Sequence, residues 1–591
     1  MDNQFEVIIF LAYLGFLLVI GFAFSKWSKG TRDYFISGSK ATWWLVGMSV
    51  FMSGISAYTF TGNAGIAYEA GWTIMVQYIG GIFAYVLNAI FLAHLFRQTR
   101  CVTFPEIARN RFGKPTEMLY SLISVVNFPL YSGIMIWAVS SFVSVITGWP
   151  LEWLIVSLGA VVLIYSTTGG RWAVLSTDFI QGILMMGLSI LITVLCLREL
   201  GGFAGMFAMI EAKGLSEQFA VVNPPELRVD GVYGPLWIAM NTLVVIAVQC
   251  SFQVATRYFS VKTGWDARKA ALLGGAMFAM GTIVWFIPPV AAHLLYSDQV
   301  MAMTQISSPR EASFAVVSMN LLPTGMIGMM IVAMMAASMS TLDTGLNNTC
   351  AIVIRNLVPE WRRWLGQPQP NERHELMLSR TVTIILGMGI ITSALYFASV
   401  EGRGMFEVAI NLLAIVGIPM AIPMIFGIFI RRIPQWGIFT GMGFGLLPSI
   451  ISMLFPELLN YQTRTMWIFI GSSVGTLISM PFWRLTSVVY REKVKDFFER
   501  MHTPIQFEEE IGQSEDVLQL KRIGLFSLCV GGFVLVLLVL PNDAAGRIGI
   551  FCIGALISLI GIGMMHAARR ARLRALAVFN LQKTSKNNDA T

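Results

Sequence analysis

Apolar runs of about twenty residues follow one another almost from end to end of this chain, and that pattern limits the fold more than any other feature. A bilayer-spanning helix needs about 20 mostly apolar residues, because lipid offers nothing to hydrogen-bond an open backbone. Fifteen runs are read, near 5–25, 42–66, 70–96, 116–147, 150–168, 172–197, 235–256, 270–297, 323–354, 378–399, 405–430, 435–455, 465–483, 523–541 and 548–567. Only 13% of the residues are charged, about half the fraction a soluble domain uses to cover its surface. An ordinary soluble enzyme, a disordered chain and a disulfide scaffold are therefore excluded. The first run lacks a basic start and a small-residue cleavage site, so it is read as a membrane helix rather than a signal peptide.

The formal net charge of +8 needs an explanation. Alternate loops lie on opposite sides of a membrane, and the short cytoplasmic ones hold the excess of Lys and Arg. With the N-terminus outside, only Arg198, Lys213, Arg228, Arg310, Arg403, Arg464 and Arg547 fall on the outer side, out of 41 Lys and Arg. A miscounted mid-chain helix would invert every later loop and erase that bias. The basic charge thus reports orientation, with the C-terminus cytoplasmic, and no nucleic-acid partner is expected. Arg484 to Arg522 is expected to be a cytoplasmic linker with a short amphipathic helix, and Leu200 to Pro235 the longest outer loop. The six cysteines are read as small apolar core residues with no disulfide. No phosphate loop and no HExxH or GxSxG motif occurs, so no enzyme activity is expected.

Three polar constellations sit inside apolar runs, where a strongly polar residue costs about 2.5 to 3.5 kcal/mol and so invites a functional reading. The first is Met52-Ser53-Gly54-Ile55-Ser56-Ala57-Tyr58-Thr59, with Thr61, Gly62 and Asn63. It suits close helix packing, and equally an interrupted helix whose freed carbonyls bind an ion. The second places Ala337, Ser340, Thr341 and Thr344 on one helix face. Such a face offers two hydroxyls and an accessible carbonyl to a hard cation, although Ser/Thr stripes also serve interhelical packing. The third leads from Tyr165 through Gly169-Gly170 to Thr177-Asp178 and Gln181. Asp178 pairs with a nearby Arg, caps a backbone group, or joins Asp343 around a second cation, whose charge would offset two otherwise repelling carboxylates.

The chain resembles the sodium:solute symporter family through Tyr34-Phe35-Ile36-Ser37-Gly38 before Trp43-Trp44, Ser53-Gly54-Ile55-Ser56-Ala57, and Thr103-Phe104-Pro105-Glu106 with Arg111-Phe112-Gly113. Gly169-Gly170 with Ala173-Val174, Thr177-Asp178 with Gln181, and Met339-Ser340-Thr341-Leu342-Asp343 continue the match in the family's order. The resemblance implies an all-α polytopic membrane protein with a leucine-transporter-type five-plus-five inverted repeat, one extra N-terminal helix and about four extra C-terminal helices. Its parts would be an extra helix in 1–32, repeats at 42–197 and 235–431 around an extracellular loop at 198–234, additional helices at 432–567 and a basic tail at 568–591. It also implies a main Na⁺ site from the carbonyls of Met52, Ile55 and Ala337 and the hydroxyls of Ser340 and Thr341. A second site would use Asp178, Ser340, Asp343 and Thr344.

The expected function is sodium-coupled symport of a small polar organic solute (sugar-like, amino acid or carboxylate) by alternating access, in a bacterial inner membrane and as a monomer. The pocket is read from Ser56, Tyr58, Thr59, Gln77, Asn127, Gln249, Ser251 and Gln253, with Trp137 or Tyr131 as a stacking face. In the sugar branch of the family the broken sixth core helix carries an amide and an aromatic pair. The positions aligned here are Val244, Ala247 and Val248. The sialic acid branch uses an Arg in the third core helix, and none stands between Thr116 and Trp149. Gly417, Pro419 and Pro423 read as gate hinges or as a simple kink. Proton coupling through Asp178 or Asp343, and a symporter-like sensor, are the alternatives.

Overall fold

The computed structural model describes residues 5–12, 15, 37–228, 231–251, 255–306, 308–368, 372–400 and 404–588, with side chains left out at 165–173, 372–373, 376 and 574–588. Helices make up almost all of it, and the only strand-like pairing among the described residues is one bridge, Ala41 to Val261. Among the described residues, the first span in chain order is bent by 49° into α1 (Trp43–Ser53) and α2 (Ala57–Ala70). After it come α3 (Thr73–Gln98), the short α4 (Phe104–Phe112), α5 (Lys114–Thr147) and the long α6 (Leu151–Glu199). The second half holds α7 (Pro235–Gln249), α8 (Ala255–Tyr258), α9 (Gly264–Leu295), α10 (Met326–Trp364), α11 (Met377–Ser399) and α12 (Met405–Phe429). Beyond these lie α13 (Gly437–Leu454), α14 (Tyr461–Leu485), α15 (Val488–His502), α16 (Asp516–Val539) and α17 (Ala544–Leu573).

Among the described residues eleven helices are long and apolar enough to cross a membrane, twelve with the bent pair, against the fifteen expected. The difference has identifiable sources. The run at 5–25 falls largely outside the described residues, and those at 150–168 and 235–256 give the shorter apolar helices Leu151–Ile164 and Pro235–Gln249. α6 is helical for 49 residues, roughly 73 Å at 1.5 Å per residue, so its two apolar stretches are more than one bilayer crossing can hold.

The core forms around α10, in which every residue from Met326 to Ser340 is buried. The α1–α2 break packs tightly against its neighbours. A Cβ at Gly54 would lie 2.5 Å from the Tyr85 hydroxyl and 3.0 Å from the Phe278 ring, so a residue without one lets α1 approach α3 and α9. Four of the six cysteines are buried as expected, whereas Cys529 and Cys552 are exposed on the outer faces of α16 and α17. α15 lies where the amphipathic linker helix was expected, and it buries Tyr490, Val494, Phe497, Phe498 and Met501, a spacing that keeps them on one face.

Polar contacts between loops sort into two ends of the molecule. At one end Lys40 meets Glu515 (3.4 Å), Arg100 meets Glu510 (2.7 Å), Lys114 meets Glu360 (3.1 Å) and Arg355 meets Glu106 (3.3 Å). At the other, Arg228 meets Glu69 (3.0 Å), Thr324 N donates to Asn542 (2.7 Å) and Gly325 N to Glu6 (2.7 Å). Each of these contacts joins segments that the alternation of loops assigns to the same side.

Candidate ion and solute site

The α1–α2 break exposes backbone to a polar face of α10. Ser56 is fully extended, and Ala57 N donates to Ser338 Oγ at 3.0 Å, fixing the break against the turn that carries Ser340 and Thr341. The hydroxyls of Thr341 and Thr344 have no hydrogen-bond partner, and that of Ser340 faces the Asp178 carboxylate. Met52, Ile55 and Ala337 are buried beside them. Buried hydroxyls are almost always paired, so two unpaired ones beside an interrupted helix leave oxygens free for a cation, and a hydroxyl that donates to a carboxylate, as Ser340 does, keeps its lone pairs for one.

A cavity of about 80 Å³ opens against this break, lined by Ser53, Ile55, Ser56, Tyr58, Thr59, Gln77, Gln249 and Thr341, among others. Among the described residues no charged side chain lines it. Of the expected pocket residues Ser56, Tyr58, Thr59, Gln77 and Gln249 are present, and the Tyr58 hydroxyl and Gln77 Oε1 have no partner. Asn127 lies instead in an adjoining cavity of about 140 Å³. Ser251 turns its hydroxyl back to the Val248 carbonyl at 3.0 Å, closing the end of α7, and so is a helix cap rather than a pocket contact. Gln253 lies outside the described residues. Tyr131 borders both cavities, while Trp137 is buried away from them. Val248 lines the cavity, but Val244 and Ala247 pack into an apolar cluster with Ala414, Ile418 and Ile468. Asn63 and Tyr78 were missed as pocket residues. Asn63 Nδ2 donates to the Tyr78 hydroxyl (2.6 Å), which donates to Thr59 (3.2 Å).

The adjoining cavity shares Tyr131, Val248 and Leu413 with the first and runs to Thr103, Phe104, Asn348 and Thr349, toward the end that carries Arg100 and Lys114. Leu413 opens a π-helical turn, Leu413–Gly417, just before Pro419. Such turns mark places where a helix gives way.

Beneath the site the sequence reading missed a partner. Arg257, counted there among the inner loop cations, is buried with Asp178, Nη1 to Oδ2 at 3.1 Å. Ser49 Oγ touches both side chains, and Arg257 Nη2 reaches the Ser340 carbonyl at 3.5 Å. Of the readings left open for Asp178, pairing with an arginine is the arrangement present. Asp343 is buried in α10 one turn beyond Ser340.

The opposite end is closed by ionic contacts. Arg310 bridges Glu69 on α2 and Glu407 on α12, and Glu311 accepts a hydrogen bond from Met405 N at 2.7 Å. Burial pushes the Glu311 carboxyl up to about 7 from its ordinary 4.5, against the opposing pull of the Met405 amide and Arg310. A carboxyl raised only while buried favours the closed arrangement fully below about pH 4.5, and that contribution is lost as pH rises through about 7. A cysteine introduced at Thr61, beneath this closure, should therefore be modified faster above pH 7 than near pH 5 after correction for thiol ionisation. Glu311→Gln should flatten the profile, and an unchanged profile in that variant would refute the assignment.

The model of the sodium:solute symporter family matches residues 34–445, and the chain belongs to that family. It is 25% identical to sodium/glucose cotransporter 2 of Rattus norvegicus, covering 77% of this chain and 72% of that protein. To the sodium/sialic acid symporter NanT of Aliivibrio fischeri it is 24% identical, over 82% and 93%. Sodium/myo-inositol cotransporter 2 of Homo sapiens matches at 24% identity over 76% and 70%. A solved structure of a Na⁺-coupled sialic acid symporter in a substrate-bound outward-open state superimposes with a TM-score of 0.70 at 20% identity, over 82% of this chain and 98% of that one. The protein is thus a multi-pass, sodium-coupled membrane transporter of the leucine-transporter type and not an enzyme.

Proposed function

We propose that this protein carries a neutral polyhydroxyl solute, sugar-like or inositol-like, together with Na⁺. The cavity at the α1–α2 break supports this reading, because it sets hydroxyl and amide groups among apolar walls such as Met135, Val248 and Phe278, with no charged side chain among the described residues. Such a lining can hydrogen-bond ring hydroxyls but offers no cation to a carboxylate. Of the relatives, the glucose and myo-inositol cotransporters fit that chemistry better than the sialic acid symporter.

In this reading Na⁺ binds the carbonyls of Met52, Ile55 and Ala337 and the hydroxyls of Ser340 and Thr341, holding α1 against α10. The second site, at Asp178, Ser340, Asp343 and Thr344, has to share Asp178 with Arg257, so it binds more weakly than the first. The repeats run 42–197 and 235–431, separated by the outer segment 198–234. Helices at 432–567 and the extra helix in 1–32 flank them, and the basic segment 568–591 is a cytoplasmic tail. The N-terminus lies outside and the linker at 484–522 is cytoplasmic. The protein sits in the bilayer of a bacterial inner membrane and works as a monomer. Ion and solute raise each other's affinity by the same factor.

The test is thermal unfolding of the purified protein against sugars, inositols, amino acids and carboxylates, in Na⁺ and in choline. A true substrate at about 100 times its Kd stabilises by about 2.7 kcal/mol, and this should appear only with Na⁺. Stabilisation equal in choline, or confined to carboxylates, would overturn the reading.

A further inference from the structure

At the end of the molecule that carries the linker, four elements enclose an open cavity of about 390 Å³ that the transport path does not use. α3 contributes Ile90, Phe91 and His94, α9 contributes Arg268, the end of α12 contributes Phe429 with Arg431 just beyond, and α15 contributes Phe498 and His502. We propose that this cavity binds the phosphate of an anionic phospholipid from the adjacent leaflet.

Two observations carry the charge argument. Arg268 Nη2 lies 3.2 Å from His94 Nε2 and 3.4 Å from the Ile90 carbonyl, while Arg268 Nε and His94 Nδ1 are buried without a hydrogen-bond partner. The Arg431 guanidinium stacks over the Phe498 ring, 5.0 Å from its centre. Among the described residues neither arginine has a carboxylate partner, and the nearest acid in sequence, Asp266, is held by Lys269 at 3.0 Å. Two guanidiniums therefore line one space with no carboxylate among the described residues to answer their charge, beside the rings of His94 and His502, and a phosphate can accept from both guanidiniums at once.

The walls decide between a lipid and a free anion. Ile90, Phe91 and Phe429 are 50%, 49% and 48% exposed. They stand at the last turns of α3 and α12, where a spanning helix leaves the hydrocarbon. Inorganic phosphate gains nothing from that apolar rim, whereas acyl chains lie along it. A basic pocket between spanning helices at a membrane face is the arrangement that holds acidic headgroups.

The test uses the full-length protein in discs of phosphatidylcholine doped with phosphatidylglycerol, with retained lipid counted by native mass spectrometry. Wild type should retain phosphatidylglycerol in preference to phosphatidylcholine. Arg268→Gln with Arg431→Gln should lower that retention by roughly tenfold or more. Arg363→Gln with Lys495→Gln removes two exposed cations from the same end and should leave retention unchanged. Should the first double variant fail to fold, Arg431→Gln alone, at an exposed side chain, should still lower retention by roughly fivefold. The proposal is overturned by unchanged retention in these variants, by equal loss in the control pair, or by no preference in wild type. Displacement of the lipid by inorganic phosphate alone would likewise overturn it.

Discussion

Arg257→Ala is expected to destabilise the protein by about 3–5 kcal/mol and to abolish uptake, because it leaves the Asp178 carboxylate buried without its partner. Both side chains are almost completely buried, at 1% and 0% exposure, so water cannot replace the lost guanidinium. The same substitution frees Ser49 and the Ser340 carbonyl, the other groups Arg257 touches. The pair therefore connects α1, α6 and α10 to the short helix α8 beneath the hydroxyls of Ser340 and Thr341. Asp178→Leu combined with Arg257→Met removes both charges at similar volume and should recover most of the stability, since a buried pair costs about as much to desolvate as it returns. Uptake should stay low in that double variant, because the Ser340 carbonyl has lost its tether. Denaturant unfolding of the purified variants separates these outcomes. A single Arg257→Ala variant as stable as wild type would show that the ion pair is dispensable.

Ser340→Ala with Thr341→Ala is expected to raise the Na⁺ concentration for half-maximal uptake by about a hundredfold or more, while expression stays near normal. Removing two oxygens from a cation costs about 1.5–3 kcal/mol each, and every 1.4 kcal/mol is a factor of ten. Stability should be largely spared because the Thr341 hydroxyl has no protein partner to lose and Asp178 keeps Arg257 and Ser49 when the Ser340 hydroxyl is removed; α10 keeps its backbone bonds, and alanine is a better helix former than either residue. The measurement is initial uptake against Na⁺ concentration at fixed pH, beside the same curve for wild type. Unchanged Na⁺ dependence would remove these hydroxyls from the coupling site, and uptake that ignored Na⁺ but followed pH would favour proton coupling.

The helices were legible because lipid imposes a length and a composition that any window of sequence displays. The grouping of loops was legible because charge alternates with side. The polar face of α10 was equally open to reading, since Ala337, Ser340, Thr341 and Thr344 recur at helical spacing. Arg257 was not. It lies just past an apolar run, where an arginine ordinarily faces cytoplasmic water, and nothing in its neighbours shows the chain turning back toward Asp178. Ser251 misled in the opposite direction, because a hydroxyl near a helix break can face a ligand or close its own helix, and only the 3.0 Å contact to Val248 separates the two.

The sequence by itself therefore determined what local physics encodes: helical spans, the division of their loops into two sets, and a hydroxyl face at helical period. The tertiary structure decided which polar groups meet across helices far apart in the chain, namely Arg257 with Asp178, Arg310 with Glu69, and Arg268 and Arg431 around an unfilled cavity. Such pairings depend on how whole helices tilt and approach. A residue's neighbours in sequence fix its helix face but not the partner that face will find.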